Sequence, residues 1–168
     1  FVEAGARDGE AHSNTLFLEK SKGWQGLLIE PGLEFKKLLN KHRKAWSFYG
    51  GLSPTGTSAV LHFNDTQNGL SHLNSVGKSI HVEPLHVLLG RISPPVHTVD
   101  YWSLDIEGSE GSVLEHTDFS KVEVGALMVE MSYNTDNARR IREAMSKNGF
   151  KEVGSTRCPL GPLDGVFV

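Results

Sequence analysis

The chain has one cysteine, Cys158, among its 168 residues. A lone thiol excludes an intramolecular disulfide framework and a cysteine zinc cluster, and its expected state is a buried, idle side chain. No apolar run approaches the roughly 18 residues that a membrane span needs, and no leading signal peptide is present. Basic excess is also missing: 17 Lys and Arg stand against 20 Asp and Glu, a formal charge of -3. That balance gives no footprint for nucleic acid or an anionic membrane surface. The histidines show neither H-x-H nor H-E-x-x-H spacing, so no dedicated metal site is expected. Nothing resembling a P-loop occurs, which argues against a nucleoside triphosphate.

What is present is ordinary globular composition at a length that predicts one domain, 1–168, with a real core. The chain opens directly on strand residues, which predicts a segment of a longer protein. Asn64-Asp65-Thr66 fits the acceptor pattern for N-glycosylation and would suit a secretory compartment. Otherwise a cytoplasmic location is expected.

Hydrophobic periodicity sets the organisation. Phe1 to Gly5 reads as a buried strand ending where glycine permits a sharp turn. Ser13 is placed to cap a helix through Leu16, Phe17 and Leu18 that ends at Gly23, and Leu27-Leu28-Ile29 follows as a parallel strand. Pro31 opens a second helix with Phe35, Leu38, Leu39 and His42 on one face, leaving Lys36, Lys37, Lys41 and Arg43 to solvent. A third strand over 45–50 closes a βαβαβ half. Residues 52–90 read as an insertion with two strands, Ser58 to Phe63 and Ser79 to Glu83, a polar loop from Asn64 to Lys78 and a helical turn from Pro84.

Regular alternation returns with a strand over 99–105, a helix capped by Ser109, a strand from Val124 to Met131, and a helix starting at Thr135 and ending at Asn148-Gly149. Phe150 to Val153 and Gly165 to Val168 pair as a terminal antiparallel hairpin. The fold expected is α/β and Rossmann-like: a mostly parallel twisted sheet, helices on both faces, and a C-terminal hairpin. Trp24, Trp46 and Trp102 are expected to pack the sheet.

Acidic residues then fall at the carboxyl ends of separate strands: Glu3, Glu30, Asp105 with Glu107, and Glu130. In an open parallel sheet these ends form one rim, where ligands bind. Gly5-Ala6-Arg7-Asp8-Gly9 lacks the full G-x-G-x-x-G, and Glu3 and Asp8 beside it would repel a pyrophosphate. An NAD-linked oxidoreductase is disfavoured for that reason. The same anions suit a cofactor carrying an ammonium and a sulfonium, which describes S-adenosylmethionine. Its amino-acid end would lie near Gly5, and Glu30, about twenty residues beyond the turn, would accept from the ribose hydroxyls.

Three stretches carry a family resemblance: Phe1 to Glu10 with Ser13-Asn14-Thr15, Gly23 to Pro31, and Ser103-Leu104-Asp105-Ile106-Glu107-Gly108-Ser109-Glu110. Pro84-Leu85, Val129-Glu130 and Asp164 to Val168 extend it over nearly the whole chain. The sequence resembles the FkbM-type methyltransferase domain, nearest to its animal Star-like branch. The resemblance implies a class I S-adenosylmethionine-dependent fold and O-methylation of a hydroxyl on a small molecule or glycan. Glu3, Gly5, Ala6, Asp8, Gly9 and Glu30 would then hold the cofactor. Asp105 and Glu107 would face the reacting end, either one as base, with Glu130 a further candidate and His86 and His116 as possible helpers. Two positions depart from the family pattern: Ser103 where lysine is frequent, and His86 where aspartate is. The Star-like branch resembles membrane-trafficking factors, so a non-catalytic interaction module of the secretory pathway is the alternative reading.

Overall fold

A computed structural model describes residues 1–64, 72–74, 77–131, 135–157 and 163–168. Cys158, Asp65 and Thr66 lie outside the described residues, as does most of the Asn64–Lys78 loop.

The first half alternates as expected. Strand β1 (Val2–Ala4), helix α1 (Leu16–Lys22), strand β2 (Leu27–Ile29), helix α2 (Lys36–His42) and strand β3 (Trp46–Phe48) follow one another. Gly23 ends α1 in the left-handed region at φ 70°. Ser13 acts one step earlier than a helix cap, its Oγ accepting from the Leu16 N–H at 3.1 Å. A 3₁₀ turn, Leu33–Phe35, precedes α2, and of the expected apolar face only Leu39 is buried. The physical cause is the tighter 3₁₀ turn, which rotates Phe35 out of register with the α-helical residues behind it.

Residues 51–83 form a sheet of their own rather than two added strands. Its members are β4 (Gly51–Leu52), β5 (Ala59–Asn64), β6 (His72–Asn74) and β7 (Lys78–Glu83), in the order β4-β7-β5-β6. The two unexpected strands span two and three residues, too short to show alternation in sequence. Helix α3 (Leu85–Gly90) returns the chain to β8 (Thr98–Leu104), then α4 (Glu110–Glu115), β9 (Glu123–Met131), α5 (Thr135–Lys147), β10 (Glu152–Arg157) and β11 (Leu163–Phe167).

The central sheet has seven strands in the order β10-β11-β9-β8-β1-β2-β3. Strands β8, β1, β2 and β3 run parallel, as do β8 and β9, and β11 inserts antiparallel between β9 and β10. This is the Rossmann-like, mostly parallel arrangement expected, and the terminal hairpin is part of the sheet.

The core lies mainly on one face. Val2, Ala4, Leu27, Ile29, Trp102, Leu104, Leu127 and Val129 alternate inward from four strands and pack on Leu88, Leu114, Ile141 and Met145 of the helices. A smaller cluster on the other face joins Phe1, Leu28 and Leu39. Trp102 is fully buried, whereas Trp24 and Trp46 keep 37% and 40% of their surface in solvent. Trp46 sits on β3, the edge strand, where no further strand covers it. Among the described residues no helix is long and apolar enough to cross a membrane.

Candidate functional site

The carboxyl edge of the central sheet gathers the glycine turn and the acids. Gly5 leaves β1 at φ +86°, and a Cβ on it would stand 1.8 Å from the Asp105 carbonyl oxygen. Only glycine permits that approach, so the first turn lies directly against the end of β8. The Gly5 and Ala6 N–H groups both donate to the Ile29 carbonyl, at 3.0 and 3.2 Å, and the Gly9 N–H closes the loop on the Ala6 carbonyl at 2.8 Å. Gly9 is crowded as well: a Cβ there would meet Arg43 and Leu39 side chains at 2.7 Å. Arg7, between them, takes a left-handed φ of 46°. Such a conformation in a non-glycine residue costs energy and persists where surrounding contacts fix it.

Glu30 is buried at the end of β2. Its Oε2 accepts the Arg7 N–H at 2.7 Å and its Oε1 the Gly32 N–H at 2.6 Å. Burial raises its carboxyl above the ordinary value, and the two backbone donors oppose that shift. A carboxylate offers about four acceptor sites, so these bonds leave it capacity for two more donors. Asp8 holds the turn, its Oδ1 accepting the Glu10 and Ala11 N–H groups at 2.9 Å each. Those donors lower its carboxyl pKa.

Glu3 behaves differently from the cofactor contact expected of it. Its carboxylate is buried and receives Ser13 Oγ at 2.8 Å, the Asn14 N–H at 2.8 Å, Thr15 Oγ1 at 2.5 Å and Arg43 Nη1 at 3.3 Å. Four donors fill its acceptor capacity, which leaves it a fixed anchor for the 13–15 turn. Arg43, expected on a solvated face, is buried and also donates to Glu19 Oε2 at 2.8 Å and to the Gly9 carbonyl at 3.1 Å.

A second group forms where β8 ends. Asp105, Glu110 and Glu130 come together there, with one carboxylate oxygen of each within 4.8 Å of the others. Desolvation raises the Asp105 carboxyl although the residue keeps an exposed face. Desolvation, followed by the adjacent Asp105 charge, pushes Glu130 up to about 9. The close like charges disfavour ionisation of both carboxyl groups at once. Glu107 lies beside them at φ 60°, its carboxyl raised by burial and by Asp105.

Glu110, fully buried, escaped the sequence reading as a site residue. Its Oε1 accepts the Ile106 and Gly108 N–H groups at 2.8 and 3.1 Å, and its Oε2 takes Asn137 Nδ2 at 2.9 Å. It thereby fixes the loop leading into α4, while Ser109, expected to cap that helix, makes no side-chain cap bond. The signal in the sequence was an acid in the first turn of a helix, which favours that position for its dipole. His116 is not brought to the rim: it follows the carboxyl end of α4, and its Nδ1 meets the Ser112 carbonyl at 2.9 Å. His86 is half-buried on α3.

With this geometry in place, the profile of the methyltransferase FkbM domain matches residues 3–152. The chain belongs to the FkbM methyltransferase family. No curated protein matches it. Within this FkbM fold, Ser103, which stands where lysine is frequent, is buried and accepts Asn14 Nδ2 at 3.0 Å. It pairs in register with Glu3, so the position connects the Glu3 anchor to the rim.

Proposed function

We propose that this FkbM domain is an S-adenosylmethionine-dependent methyltransferase acting on a hydroxyl of a small molecule or glycan. FkbM domains are generally S-adenosylmethionine-dependent. The observation that carries the reading is the conjunction of Glu30, buried with acceptor capacity to spare, and the Gly5 turn pressed against Asp105. Glu30 accepts from the ribose hydroxyls, and Gly5, Ala6, Asp8 and Gly9 shape the turn that receives the amino-acid end. Glu3 supports that turn from beneath.

Methyl transfer needs the acceptor oxygen in line with the sulfonium methyl and a base for the departing proton. S-adenosylmethionine held by Glu30 and the Gly5 turn would supply an electrophilic methyl group to the acceptor oxygen, and Asp105 or Glu107 would take the hydroxyl proton. Glu130, beside Asp105, is the further candidate for that proton.

Isothermal calorimetry with S-adenosylhomocysteine tests the reading. The wild-type chain is expected to bind it and Glu30→Ala to weaken binding at least about tenfold, the value of one lost charged hydrogen bond. Absence of binding by the wild type sinks the enzyme reading.

Ser103 favours a second reading. The missing lysine removes a cation from the rim, as suits a Star-like interaction module of the secretory pathway that keeps the fold without turnover. Cofactor binding with no methyl transfer across a broad acceptor panel would support it.

A further inference from the structure

We infer that the Arg7 guanidinium is the cation that pairs with the carboxylate of the cofactor's amino-acid end. The assignment rests on the S-adenosylmethionine reading and deepens it, because it names the residue that lets an acidic rim accept the one anionic group of that cofactor.

Arg7 stands inside the 5–9 turn, and its backbone N–H is held on Glu30 Oε2 at 2.7 Å. Its guanidinium lies over the Phe35 ring, 5.8 Å from the centre. A guanidinium on an aromatic face keeps its in-plane N–H donors for other partners. Among the described residues this exposed side chain makes no hydrogen bond and no ion pair. An arginine with its donors unspent therefore sits on the turn that receives the amino-acid end.

The charges around it explain why a cation is needed there. Burial raises the Glu30, Asp105 and Glu107 carboxyls, and in each case the charge of Arg7 opposes the rise. Arg7 is thus close enough to be felt by all three. A ligand carboxylate brought among these acids would be repelled unless a cation met it. Arg43 is not available for that purpose: it is buried and donates to Glu3, Glu19, Ser13, Thr15 and the Gly9 carbonyl. Position 103 carries a serine bonded to Asn14. Arg7 has both the charge and the planar fork that matches a carboxylate with two parallel bonds.

A cycle between the residue and the ligand group tests the pairing. Isothermal calorimetry compares S-adenosylhomocysteine with its decarboxylated analogue, which keeps the adenosine, the sulfur and the amine, on the wild-type chain, Arg7→Gly and Arg7→Lys. Arg7 holds a left-handed φ of 46°, which glycine adopts freely. Arg7→Gly therefore removes the guanidinium while keeping the turn and its N–H bond to Glu30. This variant is expected to bind S-adenosylhomocysteine about tenfold or more weaker and the analogue within about twofold of the wild type. Arg7→Lys is expected to recover part of the loss, since it restores the charge without the fork. Thermal melting followed by circular dichroism checks that both variants are folded.

Equal weakening of the two ligands in folded Arg7→Gly would overturn the assignment, because the residue would then act through the turn and Glu30 rather than on the carboxylate. Unchanged affinity for S-adenosylhomocysteine in that variant would overturn it as well. Both results leave the S-adenosylmethionine reading standing. Failure of the wild type to bind either ligand removes that reading and the assignment together.

Discussion

Arg43, at the exit of α2, places its guanidinium 3.3 Å from the Glu3 carboxylate on β1, with both side chains almost completely buried. The same guanidinium reaches Glu19 at 2.8 Å and lies 5.5 Å from the centre of the Phe1 ring. One cation thus ties the first strand, the first helix and the glycine turn to the second helix. Because this pair holds the turn that the cofactor would use, its integrity precedes any chemistry at the rim.

Arg43→Met is therefore expected to destabilise the fold by about 3–5 kcal/mol, since Glu3 and Glu19 would be left as uncompensated buried charges. Urea denaturation followed by circular dichroism measures it. A loss under about 1 kcal/mol would show that the ion pair is not holding the turn.

Gly5→Ala tests the contact between the turn and β8. Its Cβ would overlap the Asp105 carbonyl in a backbone conformation that alanine adopts only with strain. Backbone strain alone costs about 1–3 kcal/mol, with the clash added to it. The expected result is a lower melting temperature together with weakened S-adenosylhomocysteine binding. Wild-type values of both would contradict the close approach.

Glu30 carries a pH dependence with a definite sign. Burial raises its folded-state carboxyl above the unfolded value of 4.5. Its contribution to stability is then fully present below the unfolded value and is lost as pH rises through the folded one. Removing the titrating group in Glu30→Gln is expected to make the variant gain on the wild type as pH rises from about 4 to 8, measured by urea denaturation without cofactor. Cofactor affinity should run the other way, since only the ionised carboxylate accepts from both ribose hydroxyls. It weakens as pH falls into the raised titration range. Parallel stability curves for the two proteins would remove the shift.

Asp105→Asn separates binding from chemistry. If the rim transfers a proton, turnover with a competent acceptor should fall by about 10²–10⁴-fold, the range for loss of general base catalysis. S-adenosylhomocysteine affinity should stay near the wild-type value, because the ribose and turn contacts are intact. Unchanged turnover would move the base to Glu107.

Several of these residues were legible before any coordinates. Glu30 follows from the uninterrupted apolar run Leu27-Leu28-Ile29 that stops at an acid, Asp105 stands just past β8, and Gly5 and Gly23 follow from the turn and helix exit that need a positive φ. Arg43 was not legible. Helical periodicity places it beside solvated lysines, and it is buried because it falls at the residue where α2 ends and the chain turns back over Glu3 and Glu19. Glu110 stood in the quoted motif, yet its burial depends on Asn137, 27 residues away on another helix. On helix α1 the apolar Phe17 is 61% exposed, which its place in the sequence does not reveal.

The sequence by itself determined the α/β alternation, the position of the acids at strand ends, and the family. Those features are local: a run of apolar residues, a glycine and a carboxylate are enough to write them. Only the tertiary structure decided which partners surround each acid. Glu3 lies within β1 and Glu30 just past the end of neighbouring β2, and packing surrounds Glu3 with four donors and Glu30 with two. That difference in unfilled acceptor capacity makes one an anchor for the turn and leaves the other open to a ligand.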